Sequence, residues 1–278
     1  MIYLICTPIG NLNDISARSI EILKSSDLIY AEDTRKAKKI FDKFKIDKKS
    51  FSFNDHNERI KSKYIIEEAK AGKKISVISD AGAPLISDPG FLLVKECIKE
   101  NIKYSVIPGP SSVINSLLLS GFAINKFTFL GFLPRKDSER KKIFQNNVKN
   151  GITLVFFESP KRLVKTLSVM KEVYPSTKRI VICREMTKKH EEVLRGSISD
   201  IFEKLSSRDI KGEICLLIEG DKNLTNTSVN LNIEIKDMLL KKMSRSDAAK
   251  LLSLITQQNK RDLYTWLTKK SWRKNLFK

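Results

Sequence analysis

The sequence predicts an α/β fold: two successive α/β sets followed by a small C-terminal helical segment. Three observations carry this. Short apolar runs alternate with amphipathic stretches, loops bearing glycine and proline directly follow several of those runs, and the stretch 236–278 is basic and helical in pattern.

In the first third, IYLIC (2–6), DLIYAE (27–32), FSF (51–53), KISVIS (74–79) and YSVIP (104–108) are short, apolar and largely β-branched, which predicts strands. Between them, residues 16–25 and 59–71 predict helices, the second from Ile60, Tyr64, Ile65 and Ala69 near a 3.6-residue spacing. Such alternation implies a parallel sheet covered on both faces. Ligands of such sheets bind beyond the carboxyl ends of the strands, here just after Cys6, Ser79 and Ile107. A second set follows: FTFLGF (127–132), ITLVFFES (152–159), RIVICRE (179–185) and EICLLIEG (213–220) as strands, with 140–149 and 161–174 as helices. The expected division is a first α/β domain over 1–120, a second over 121–225 and a basic helical tail over 226–278, with the polar stretch 221–232 as a linker. Within the tail, Ser244 and Asp247 have the S-x-x-D spacing of a helix start, ahead of apolar Ala248, Leu251, Leu252 and Ile255.

Composition narrows the function classes. No apolar run approaches the roughly 20 residues of a membrane helix. The opening MIYLICTPIGN has no basic n-region and reads as a strand, so neither a signal peptide nor a membrane association is expected. Cys6, Cys97, Cys183 and Cys215 are far apart and only two histidines accompany them, which argues against a zinc site or a disulfide framework. Reduced, buried cysteines in a cytoplasmic protein that binds no metal are the expectation. The formal net charge of +20 suits a polyanionic partner, although a lysine-rich composition produces the same excess without one. The stretch 236–278 alone holds nine Lys and three Arg against three Asp.

Three loops carry chemistry: TPIGNLND (7–14), SDAGAPLISDPG (79–90) and IPGPSS (107–112), each directly after a predicted strand. Glycine lets backbone approach a ligand and proline holds it rigid. None has a P-loop pattern or a G-x-G-x-x-G that opens a helix, so nucleotide-phosphate binding is weakly supported. Asp80 and Asp88 instead suit a cationic ligand, a sulfonium cofactor or a metal, and two carboxylates without a nearby histidine make a poor metal site.

These loops, with AEDTR (31–35), HNE (56–58), GFLPRK (131–136), FFESPKR (156–162) and REMTKKHEEVLRG (184–196), occur in one characteristic order. The chain thereby resembles the ribosomal RNA small-subunit methyltransferase I proteins, a branch of the tetrapyrrole methylase superfamily, strongly over about 1–220 and loosely in the tail. The resemblance implies two α/β domains of the tetrapyrrole methylase type with S-adenosyl-L-methionine in the cleft between them, and a homodimer. It implies 2′-O-methylation of a cytidine ribose in 16S rRNA of the small ribosomal subunit. Carried over motif by motif, the cofactor would meet Asp80, Ala81, Gly82 and Ala83, then Ser111 and Ser112. From the second domain it would meet Phe157, Glu158 and Ser159, Glu185 and Met186, then Gly212 and Glu213. The resemblance further places Pro8, Gly10, Asn11, Arg35, His56 and Arg184 towards the substrate. Two positions depart from the pattern: Cys6 stands for a small residue, and Ala83 for a threonine whose hydroxyl is lost.

A ribose 2′-hydroxyl is a very weak acid, so methyl transfer to it is helped by a base or hydrogen-bond acceptor. The candidates are Glu32 and Asp33 of AEDTR, Glu58 of HNE and Glu185 of REMTKKHEE, with His56 beside them. Arg35 and Arg184 suit phosphate gripping, because a guanidinium clamps phosphate bidentately. Each acid also suits a structural ion pair with a neighbouring Arg or Lys. Two alternatives remain open from the residues. One is a methylase of a small tetrapyrrole. The other is a non-enzymatic nucleic-acid-binding protein, since 244–267 has the form of two helices across a tight turn.

Overall fold

A computed structural model describes residues 1–148, 151–220, 233–256 and 259–268. The first sheet contains β1 (Ile2–Ile5), β2 (Leu28–Ala31), β3 (Ser50–Ser52), β4 (Ile75–Ile78) and β5 (Tyr104–Ile107). Its order is β3-β2-β4-β1-β5 and every pairing is parallel, as the alternation of strand and helix predicts. The helices are α1 (Ala17–Ser25), α2 (Thr34–Phe44), α3 (Glu58–Lys70), α4 (Phe91–Lys99) and α5 (Ser112–Ser120). Successive strand residues point to opposite faces. Accordingly Ile5, Ile29 and Ile78 pack with Ile22, Leu23, Ile40 and Phe41 of α1 and α2 on one side. On the other, Ile2, Leu4, Tyr30, Ile75 and Val77 pack with Ile65, Ile66 and Leu93 of α3 and α4.

The apolar stripe expected on α3 is shifted. Ile65 and Ala69 are buried, but Ile60 is 75% and Tyr64 53% exposed; Ser62 and Ile66 complete the inward face instead. Both outward residues lie four apart, so they also satisfy helical spacing, and spacing alone does not choose the face.

The second sheet contains β6 (Phe127–Phe132), β7 (Thr153–Glu158), β8 (Arg179–Arg184), β9 (Glu192–Ser197) and β10 (Ile214–Ile218), in the order β6-β7-β10-β8-β9. Only β6 and β7 run parallel. The helices here are α6 (Asp137–Asn147), α7 (Pro160–Lys171) and α8 (Ile198–Leu205). Four strands match the sequence reading, while β9 escapes it. Only Leu194 of β9 is buried, the strand lies at the sheet edge, and Glu192, Arg195 and Ser197 interrupt any apolar run. All four cysteines are buried free thiols.

Both sheets belong to one compact unit, Met1–Gln145 with Thr153–Glu219; the C-terminal helices belong to a second. Those helices are α9 (Ile233–Leu240), α10 (Arg245–Thr256) and α11 (Lys260–Thr268). The Ser244 hydroxyl oxygen accepts from the Asp247 amide at 3.1 Å, so the predicted helix start is present. Ala248, Ala249, Leu252, Leu263 and Leu267 form a small core against which Leu239, Leu240, Met243 and Trp266 pack. Of the apolar residues that follow this helix start, Leu251 and Ile255 are exposed. The predicted linker 221–232 lies outside the described residues.

Candidate active site

The sheet order fixes where chemistry can occur. β2, β4, β1 and β5 are neighbours, so the loops that follow them emerge side by side at one edge. The loops after β1 and β4 are tied by a two-way backbone bridge: the Thr7 amide donates to the Gly82 carbonyl at 2.8 Å and the Gly82 amide returns a bond of 3.0 Å. Gly82 holds φ +80°, a conformation that disfavours any side chain.

Facing this edge is a cavity of about 430 Å³ whose other wall comes from the second sheet. Asp80–Ala83 line it after β4, Ser111 and Ser112 at the start of α5, and Phe157–Ser159 after β7. Met186, Gly212 and Glu213 complete that wall. Every residue that the motifs assign to the cofactor, Glu185 apart, is therefore on one surface. Glu185 lies behind it: its carboxylate accepts from the Glu213 amide at 2.9 Å and pairs with Lys188 at 2.8 Å. Glu158 is on the wall, but its carboxylate is committed to Arg162, Thr166 and the Ser159 amide.

The other candidate acids separate clearly. Glu32 lines the cavity. Asp33 does not; it caps α2 and pairs with Arg35 at 2.7 Å, while its amide donates to Asp80 Oδ1 at 2.8 Å. Glu58 is buried beneath the β4–α4 loop, where Oε1 accepts from the Gly90 and Leu92 amides at 2.8 Å each. That loop contains Leu85 and Ser87 at φ +71° and +67°, a strained path that needs such an anchor. Glu58→Ala is expected to strand two amides and destabilise the protein by about 1–3 kcal/mol. It should also weaken cofactor binding, and a thermal melt with calorimetry checks both.

None of the residues placed towards the substrate by resemblance lines the cavity itself. Arg35 is exposed beside it, and His56 is exposed, with its amide donating to Asn54 Oδ1 at 3.1 Å. Arg184 faces the opposite side of its strand, bonded to Glu192 at 3.1 Å and to the Lys211 carbonyl at 3.1 Å. The Pro8–Asn11 loop packs against the loop after β8, and the Asn11 amide donates to Thr187 Oγ1 at 3.0 Å. A Cβ added to Gly10 would lie 2.5 Å from Lys188 Cγ and 2.9 Å from the Met186 carbonyl, so glycine permits that close approach.

Among the charged residues lining the cavity, motif reasoning did not single out Lys36, while Asp88, which the sequence offered with Asp80 for a cationic ligand, lines it as well. Lys36 Nζ pairs with Asp80 Oδ2 at 2.8 Å. The repeated S-D of SDAGAPLISDPG was the available signal for Asp88. Burial, then the charges of Glu32 and Asp80, push the Asp88 carboxyl up to about 7. Burial and Asp80 likewise raise Glu32. Three carboxylates facing one lysine make a site for a cation, while Ile9, Ile86, Phe132 and Phe157 supply apolar wall. This donor set fits S-adenosyl-L-methionine, which carries a sulfonium, an ammonium and an apolar ring face. No group of three His, Cys, Asp or Glu able to hold a metal occurs among the described residues.

The family model of the Tetrapyrrole (Corrin/Porphyrin) Methylases matches residues 1–201. A protein of Rickettsia prowazekii named "Ribosomal RNA small subunit methyltransferase I" is 40% identical over 273 residues, covering 98% of this chain and 97% of its own. One of the same name from Thermotoga maritima is 42% identical over 214 residues, which are 77% of this chain but 96% of the relative. Among solved structures, the Thermus thermophilus uroporphyrin-III-C-methyltransferase superposes with a TM-score of 0.55 at 16% identity, covering 81% of this chain and 96% of that one. A diphthine synthase gives 0.63 at 14%, covering 78% and 89%. These two likenesses speak to the fold alone. With matches of this extent, the chain belongs to the tetrapyrrole methylase family, in its ribosomal RNA small subunit methyltransferase I group.

Proposed function

We propose that this methyltransferase uses S-adenosyl-L-methionine to methylate the 2′-hydroxyl of a cytidine ribose in 16S rRNA of the small ribosomal subunit, in the cytoplasm. The observation that carries this reading is the acid-rich cavity, which gathers the cofactor motifs of both sheets in a chain closely related to rRNA methyltransferases. When bound, the cofactor supplies an electrophilic methyl group on a cationic sulfur. The protein's part is positioning and proton transfer. Asp80, Asp88 and the glycine-permitted backbone at Gly82 hold and orient the cation. Phe132 and Phe157 exclude water from one wall. Glu32, alone among the four candidate acids in lining the cavity, accepts the ribose proton, and its raised affinity for protons favours that role.

A small tetrapyrrole carries several carboxylates, which three facing acids would repel. A neutral ribose meets no such opposition. Supplying labelled cofactor with small subunits, naked 16S rRNA and a uroporphyrinogen separates the readings: label is expected in RNA, and label in the porphyrin alone overturns the proposal.

A homodimer is part of the same reading. The β5 edge strand exposes Tyr104 and Val106, and α5 exposes Ile114 and Leu118, an apolar surface suited to a self-complementary contact. The C-terminal helices are proposed to grip RNA phosphates. Trp266 and Leu267 serve the small core of those helices, and Trp272 lies outside the described residues. Deleting 236–278 is expected to leave cofactor affinity unchanged while weakening small-subunit binding. The salt dependence should flatten by roughly 0.7–0.9 in slope for every phosphate no longer neutralised. An unchanged slope contradicts the gripping role.

A further inference from the structure

We infer that the outer face of α2, continued through the turn after it, is a basic ridge along which the RNA strand leaves the cleft. The inference rests on the reading of the substrate as RNA and adds the surface that holds it. Helix α2 starts at the cavity: Glu32 and Lys36 line it and Asp33 is the N-cap. Its inward face, Ala37, Ile40 and Phe41, is buried against the first sheet. The outward positions are almost all cationic. From Arg35 to Lys49 the chain has eight cations and only two carboxylates, Asp42 and Asp47, and all ten side chains are exposed.

Helical geometry turns this composition into a line. Arg35, Lys39 and Lys43 lie four residues apart, so one charge recurs about every 6 Å along a single stripe. That is close to the spacing of successive phosphates in an RNA strand. Lys43 and Lys45 have a second explanation, because cations at a helix C-terminus oppose its dipole. Lys43 also bonds to Asn13 Oδ1 at 2.6 Å. Lys38 and Lys39 sit mid-helix and Lys48 and Lys49 beyond it, so the dipole does not account for them. None of these four makes an ion pair among the described residues.

The Thermotoga maritima relative points the same way. It is matched over 96% of its own length by 214 residues of this chain, so nearly all of that relative lies within the shared part. If such a protein handles RNA, an RNA surface must exist within that part. The ridge has the charge and adjoins the reacting end.

The test replaces Lys38, Lys39, Lys48 and Lys49 together by Gln in the full chain. A control variant replaces Lys24, Lys63, Lys95 and Lys103, four exposed lysines on other faces, and so removes the same charge. With assembled small subunits as the probe, the ridge variant is expected to raise KM at least tenfold while kcat and the cofactor Kd stay unchanged. Its salt slope should fall by roughly 0.7 for each phosphate that the ridge no longer neutralises, and the control should change far less. Equal effects in both variants, or an unchanged KM and slope in the ridge variant, overturn the inference. The second result is also what a ridge serving an acidic protein would give. If the unaltered chain binds cofactor but neither binds nor methylates small subunits, the RNA reading itself falls; normal methylation with an indifferent ridge variant removes the ridge alone.

Discussion

Gly82→Val is expected to reduce cofactor affinity at least tenfold while the fold survives. Two effects add. The backbone at φ +80° is costly for a residue with a Cβ, by about 1–2 kcal/mol, and more for a β-branched one. A Cβ at this position would already stand 3.4 Å from Ile9 Cγ2, so the valine methyls must occupy wall or cavity. Because Gly82 is bridged in both directions to Thr7, its backbone cannot relax without parting the loops after β1 and β4. Calorimetry of S-adenosyl-L-methionine binding, with a thermal melt as companion, is the check. Normal affinity in this variant would mean that the cofactor does not approach the β4 loop.

Cofactor affinity is also expected to depend on pH through Asp88. The free protein holds this carboxyl at about 7, because burial and the neighbouring Glu32 and Asp80 disfavour its charge. A bound cation favours the ionised form, so binding releases a proton. Affinity should be full above pH 7 and fall by up to tenfold per unit below it. Asp88→Asn should remove that dependence and weaken binding at pH 8. Stability should move the other way. The native carboxyl binds its proton more tightly than the ordinary value of 3.8. Its contribution therefore favours folding at low pH and is lost as pH rises through about 7. Asp88→Asn should consequently melt higher at pH 8 than the unaltered chain. A variant that binds cofactor with the same pH profile would show that Asp88 does not face the ligand.

In the first sheet β1, β4 and β5 were legible because each is a short apolar run followed directly by a glycine- and proline-bearing loop, while β2 and β3 lack such loops and were read from their apolar residues alone. The second sheet was less legible, since β9 buries one side chain and holds only Val193 and Leu194 as an apolar pair among Glu192, Arg195 and Ser197. Motif order located the cavity wall well, because backbone and small residues at strand ends have little freedom of position. Roles of long charged side chains were harder to read. Glu185 and Arg184 come from the same motif as Met186, which lines the cavity, and Glu58 comes from HNE. Yet each turns to neighbouring amides, carbonyls or counter-charges, and a choice between two faces of one strand or loop leaves no trace in spacing. Asp88 shows the converse. Its position in the sequence was plain, but its importance depends on two acids brought to it by β2 and β4.

The most direct test of the central claim is to map ribose methylation along 16S rRNA from cells with and without this protein. One 2′-O-methylated cytidine is expected to be present only with the protein, absent when Gly82→Val replaces it, and restored by the unaltered chain. An identical methylation map in the two cell types would contradict the assignment.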